Sequence, residues 1–151
     1  MKGIASLRRH PVLVIGSLAE TTRTRLERFF ELECLDETPG PGGLRQRMAG
    51  KAALLTASEA AIDEDFLEGM RWLRAICRSR PGAGGIDLEA CTRAGILVTA
   101  IPPDMPATPP DGMSGERAAD NLIAAFGFGR IGGHPPDLLN PEVRCQLGCC
   151  G

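Results

Sequence analysis

LRAICRSRPGAGGIDLEACTRAGILVT, residues 73–99, is the stretch whose reading decides the fold. An apolar run from Leu73 to Cys77 enters a turn dense in glycine. Asp87 then stands where a helix N-cap is wanted, and Leu88, Cys91 and Ala94 recur at helical spacing behind it. Gly95 stops that helix, and Ile96-Leu97-Val98-Thr99 is a second apolar run. Two such runs joined through a helix form a parallel crossover, because antiparallel neighbours need only a short hairpin.

The same rhythm extends upstream. Val12-Leu13-Val14-Ile15 is unbroken apolar sequence, the mark of a strand buried on both faces. Thr21 or Thr22 is placed to cap a helix running through Phe30, with Leu26, Phe29 and Phe30 on one face, and Leu32 to Leu35 follows as a second strand. Pro39-Gly40-Pro41-Gly42-Gly43 breaks the chain before a modest helix from Leu44 to Met48. Ala52 to Thr56 is a third strand, and Asp63 caps a short helix that turns Phe66, Leu67 and Met70 inward. Leu73 to Cys77 and Ile96 to Thr99 are then the fourth and fifth strands. Five βα units with short right-handed connections predict an α/β fold: a flavodoxin-like, doubly wound, five-stranded parallel sheet with helices on both faces, three layers in all. Such sheets bind ligands beyond the carboxyl ends of their strands. The loops to watch are Gly16–Thr21, Thr56–Asp63, Ser79–Asp87 and Ala100–Met105.

That domain is expected over residues 1–103. Pro102, Pro103, Pro106, Pro109 and Pro110 then forbid regular structure, and 104–112 reads as a bridge. Residues 113–127 form a last helix of the same domain, capped by Ser114, with Ala119, Leu122, Ile123 and Phe126 as its apolar face. Residues 128–151 are expected to run extended over the surface as a tail rich in glycine, proline and cysteine.

Composition narrows the class. The chain has 151 residues, 43% of them apolar and 24% charged, which excludes a disordered polymer and a coiled coil. No apolar run reaches the ~18–20 residues of a membrane span, and no signal-peptide core precedes the first strand. A net charge of −2 gives no nucleic-acid footprint. Cys34, Cys77 and Cys91 sit within predicted elements, where free cysteine acts as a small hydrophobe. Cys145, Cys149 and Cys150 form a tail without a histidine or second cysteine pair to complete a metal set. The expected compartment is the reducing cytoplasm.

Gly127-Phe128-Gly129-Arg130-Ile131-Gly132 matches the dinucleotide fingerprint letter for letter. The chemistry needs a strand before that turn and a helix after it. Here a helical pattern precedes, and Pro135-Pro136 follows. No cofactor site is therefore expected there. A flavin carrier is excluded by the poor phosphate loop Gly16–Thr22 and the absence of tyrosine. A receiver domain is excluded because Thr56-Ala57-Ser58 and Thr99-Ala100-Ile101 stand where its aspartate and lysine belong.

Residues 73–99, with their glycine turn ending in Ile86-Asp87, the Arg93-Ala94-Gly95 that follows, and a strand ending in Val98-Thr99, resemble the substrate-binding domain of the D-isomer-specific 2-hydroxyacid dehydrogenases. Ala57 to Phe66, Ala118 to Ala125 and Asn140-Pro141-Glu142 fit the same family. The resemblance covers about residues 11–103 and 113–143. It implies a flavodoxin-like substrate domain from which an NAD- or NADP-binding Rossmann domain normally leaves after the fifth strand, before the chain returns for a last helix. Here 104–112 bridge that gap directly. The family's catalytic arginine, glutamate and histidine have no counterparts, and His134 follows the last helix instead of preceding it.

The resemblance also implies a backbone cradle for the substrate carboxylate at Pro81, Gly82 and Ala83. Arg80 stands where the family usually has glycine, Pro81 lacks an N–H donor, and Gly84 replaces an Asp, Asn or His. Arg80 is itself a candidate anion partner, and Ser58 and Glu59 border the cleft. The expected protein is an engineered or truncated substrate-binding domain without hydride transfer, bound cofactor or metal, taking small 2-oxo or 2-hydroxy acids weakly. Its alternative is a flavodoxin-like structural or interaction module. A monomer or a dimer that swaps the last helix is expected.

Overall fold

The structure is a computed structural model that describes residues 9–37, 39–57, 61–104, 113–126, 135 and 137–143. Its elements in order are β1 (His10–Ile15), α1 (Glu20–Glu27), β2 (Phe30–Leu35), α2 (Pro41–Met48), β3 (Ala53–Thr56), α3 (Glu64–Leu67), β4 (Ala75–Pro81), α4 (Leu88–Ala94), β5 (Leu97–Ile101) and α5 (Met113–Ala125). The five strands form one parallel sheet in the order β2-β1-β3-β4-β5. This is the flavodoxin order, whose switch point lies between β1 and β3.

The apolar strands alternate their side chains between two cores. Leu13, Ile15, Leu54, Ile76 and Val98 face Leu44 and Met48 of α2, Phe66 and Leu67 of α3, and Ala90 and Cys91 of α4. Val12, Val14, Ala53, Leu55, Ala75, Cys77 and Leu97 face Leu26 of α1 and Ala118, Ala119, Leu122 and Ile123 of α5. Helices thus cover both faces, and the expected three layers are present. The apolar face predicted for the last helix is the one that is buried, and Phe126 just beyond it packs edge-on against Phe30 at 5.3 Å and tilted against His10 at 4.8 Å.

Several boundaries differ from expectation. Neither Thr21 nor Thr22 caps α1: the helix begins at Glu20 with Ala19 at its N-cap, and no side chain caps it. Thr22 is buried inside the helix and donates to the Glu116 carboxylate on α5. Arg25 of α1 adds ion pairs to Glu116 and Asp120 at 2.8 and 2.9 Å, so charge aligns this face of α1 with α5. The fourth strand runs from Ala75 to Pro81 and so carries straight into the glycine turn. α2 starts at Pro41, and Ser114 lies within α5 instead of capping it. Asp63 and Asp87 do cap α3 and α4, accepting from the Phe66 and Ala90 amides.

The largest departure concerns the segment after α5. Residues 137–143 do not lie wholly on the surface: Asn140 and Val143 are buried, while Pro141 and Glu142 are exposed. Leu138 pairs antiparallel with Thr99, and the Leu139 amide donates to the Val98 carbonyl at 2.8 Å. Asn140 completes the clamp. Its Oδ1 accepts from the Val98 amide at 2.9 Å, while Nδ2 donates to the Ile96 carbonyl at 2.8 Å and to Thr92 Oγ1 at 3.1 Å. An edge strand with open N–H and C=O groups is a hazard, and this segment removes it from β5. Asp137 fastens the entry, accepting from Arg117 Nε at 2.6 Å and from Asn121 Nδ2 at 2.9 Å. The fingerprint at 127–132, His134 and the three cysteines after 144 lie outside the described residues, as does the bridge from 105 to 112.

Two measurements check these anchors. Asn140→Ala strands the Val98 N–H and the Ile96 C=O in the interior, at about 1–3 kcal/mol for each unpaired group. Thermal unfolding should show a fall of several degrees, and an unchanged midpoint would remove Asn140 from its clamping role. Partial burial pushes the Asp137 carboxyl up, but hydrogen bonds from Arg117 and Asn121 and the Arg117 charge outweigh it and hold the pKa below its ordinary value. A depressed folded pKa stabilises above the unfolded value and loses that contribution as pH falls through the folded one. Denaturant unfolding from about pH 5 downward should therefore show the parent chain losing its advantage over Asp137→Asn.

Candidate functional site

The glycine turn leaves the carboxyl end of β4 and is held from both sides. Gly82 and Gly84 have φ of 77° and 59°, a left-handed backbone that favours residues without a Cβ. Beyond the turn, Ile86 bridges Ile62: the Ile62 amide donates to the Gly85 carbonyl at 3.1 Å, and the Asp87 amide donates to the Ile62 carbonyl at 2.8 Å. Inside the turn lies Arg78, 2% exposed at the end of an otherwise apolar run. Its guanidinium donates to the Pro81 carbonyl at 3.0 Å and to the Gly82 carbonyl.

These bonds tie the start of the turn to a buried side chain. Among the described residues, the amides of Ala83, Gly84 and Gly85 have no hydrogen-bond acceptor. Successive N–H groups in such a turn form a concavity suited to an anion. The amides without an acceptor are thus those of residues 83–85, and of the expected Pro81, Gly82 and Ala83 only Ala83 is among them. Pro81 contributes a carbonyl to Arg78 and no donor, while Gly82 contributes the second carbonyl. Arg80 is exposed beside the turn, with no ion pair among the described residues. Ser58 and Glu59 lie outside the described residues.

Arg78 is the residue that sequence reasoning misses. Its signal is present: a charge within Ala75-Ile76-Cys77-Arg78, just before a glycine cluster, must be paired when buried. Cys77 and Cys91 behave as the small hydrophobes they were expected to be. Burial pushes the Cys77 thiol up to about 12, and burial, then the Asp87 charge, does the same for Cys91. Neither is a nucleophile at neutral pH. Among the described residues no group of three His, Cys, Asp or Glu side chains could hold a metal ion. No helix among them is long and apolar enough to cross a membrane.

The fingerprint at 127–132 follows the helix α5, where a phosphate-binding turn needs a preceding strand. All five strands belong to the one sheet already described.

Comparison with known proteins places these observations. Residues 12–108 match the family described as D-isomer specific 2-hydroxyacid dehydrogenase, catalytic domain. A glyoxylate reductase of Thermococcus litoralis is 29% identical over 93 residues, which are 60% of this chain and 28% of that enzyme. The chain thus spans less than a third of the length of this curated relative. Among solved structures, the TT0316 protein of Thermus thermophilus superposes with a TM-score of 0.53 at 31% identity, covering 59% of this chain and 29% of that one. The PH0520 protein of Pyrococcus horikoshii superposes with a TM-score of 0.58 at 23% identity, covering 62% and 28%, a likeness of fold alone.

Replacing Arg78 by Met keeps a long side chain and removes the guanidinium. Loss of its charged hydrogen bonds should lower stability by about 2 kcal/mol or more. Amide exchange at Ala83 to Gly85 should rise more than at Val12 to Ile15. Equal acceleration at both places would mean that Arg78 holds the fold in general and not the turn.

Proposed function

The chain belongs to the D-isomer specific 2-hydroxyacid dehydrogenase family, and from that premise we propose that it is a substrate-binding unit without hydride transfer of its own. It takes the carboxylate of a small 2-oxo or 2-hydroxy acid on the Ala83, Gly84 and Gly85 amides. The observation that carries this reading is the row of three amides without acceptors among the described residues, fixed from behind by Arg78 and flanked by exposed Arg80. Three N–H donors and a neighbouring guanidinium suit a carboxylate. They orient the acid and polarise nothing at C2.

Hydride transfer requires a bound nicotinamide held against C2. The passage from β5 to α5 takes only residues 102–112, and α5 occupies the sheet face directly. That shortness supports a unit whose cofactor half has been removed, by engineering or by loss. The proposed setting is cytoplasmic, and the proposed unit is a monomer whose own α5 covers its own sheet. With an exposed turn and few contacts, affinity should be weak, with Kd on the order of 1 mM.

Titrating the 15N-labelled chain with glyoxylate tests this. Saturable shifts are expected at the Ala83, Gly84 and Gly85 amides, with Arg80→Gln weakening binding several-fold and ethyl glyoxylate producing no shift. Shifts confined to other parts of the sheet, or none at tens of millimolar, would overturn the reading.

A further inference from the structure

The amino ends of the strands carry a second site. Backbone hydrogen bonds align residues at, or just before, the starts of β1, β3, β4 and β5 along that edge. The Ala52 amide donates to the Pro11 carbonyl at 2.7 Å, the Arg74 amide to the Ala52 carbonyl at 2.7 Å, and the Leu97 amide to the Arg74 carbonyl at 2.9 Å. Pro11 in turn is in register with Glu31 of β2. Over this row opens a groove of about 520 Å³ lined by Arg9, His10, Glu31, Trp72 and Arg74 among others. That size lies within the range of small-molecule sites.

The lining is chemically selective. Trp72 is 69% exposed and is the one large hydrophobic side chain exposed among the described residues. A lone indole held open to water offers a flat face for stacking another ring. Arg9 and Arg74 are both exposed, and neither forms an ion pair among the described residues. Arg23, Arg25, Arg47 and Arg93 are each tied to a carboxylate, while exposed Arg28, Arg71 and Arg80 share the lack of an ion pair among the described residues. His10 forms part of the wall, its ring tilted against Phe126 at 4.8 Å. Burial and then the Arg74 charge hold its pKa below the ordinary value. Glu31 adds an acceptor to the lining.

We propose that this groove binds a flat aromatic ring bearing a phosphate, such as a nucleoside monophosphate, with the ring on Trp72 and the phosphate between Arg9 and Arg74. Guanidinium groups match phosphate oxygens in charge and in planar geometry. The site stands apart from the carboxylate cradle. The strand from Ala75 to Pro81 separates them by about 20 Å, too far for a bound nucleotide to meet an acid on the glycine turn. This proposal does not depend on the carboxylate reading.

The chain contains one tryptophan and no tyrosine, so indole fluorescence reports on Trp72 alone. Adenosine 5′-monophosphate should quench that emission saturably, with adenosine and inorganic phosphate each binding at least tenfold more weakly. Arg74→Gln and Arg9→Gln should each weaken binding about tenfold, while Arg23→Gln on α1 should leave it unchanged. Trp72→Leu, followed by calorimetry, should lose the preference for the nucleotide over phosphate. Both arginines and Trp72 are exposed, and circular dichroism verifies that the variants fold. Adenosine binding as tightly as its monophosphate would overturn the anion half of the site. Indifference to Arg9→Gln and Arg74→Gln, or an absence of quenching, would overturn the whole. Glyoxylate should not displace the nucleotide, which separates this outcome from that of the cradle.

Discussion

A parallel sheet with apolar residues on both faces has to be covered on both faces. The rest of this structure depends on that constraint. Three helices, α2, α3 and α4, cover one face, and α1 alone would cover only the β2-side half of the other. Ala75, Cys77 and Leu97 would then meet water. α5 fills the gap with Ala118, Ala119, Leu122 and Ile123, at about 25 cal/mol for each Å² of apolar surface removed from solvent. Its small alanines permit close approach to the sheet, while Thr22, Arg25, Glu116 and Asp120 align it beside α1. The return of residues 137–143 along β5 follows from the same placement, with Arg117 and Asn121 of α5 gripping Asp137.

Much of this is legible because the apolar signals are strong. Val12 to Ile15, Ala53 to Leu55 and Leu97 to Val98 are continuous hydrophobic runs, and the structure buries all of them. Asp87 stands alone ahead of its apolar face and Asp63 opens an acidic run ahead of Phe66 and Leu67, and both cap as expected. Less legible are positions where two donors or caps compete locally. Thr21 and Thr22 look like caps, but α5 presents Glu116 to Thr22, a partner 94 positions away that no local window contains. Asn140 offers the same lesson. In a stretch rich in proline and polar residues it reads as loop chemistry, and only the sheet edge shows which backbone groups it serves.

The candidate site divides in the same way. The glycine turn is visible as a motif, and its position after β4 follows from the element order. Which of its backbone groups find partners is not visible, because Arg78 takes the Pro81 and Gly82 carbonyls while the amides of 83–85 have no acceptor among the described residues. Burial of a charged side chain is a tertiary outcome that sequence marks only by contrast with its apolar neighbours. The groove around Trp72 gives no motif at all, since its lining comes from the amino ends of separate strands and the turn before β4.

The proposed function joins the family's substrate fold to a carboxylate cradle at Ala83 to Gly85, without hydride transfer. The direct measurement follows the near-ultraviolet absorbance of the reduced nicotinamide, which is lost when its hydride is transferred. NADH or NADPH is mixed with glyoxylate, hydroxypyruvate or pyruvate in the presence of the chain. The account predicts a trace that matches the protein-free control for every pair. Turnover that scales with protein concentration, for any one of them, would contradict it.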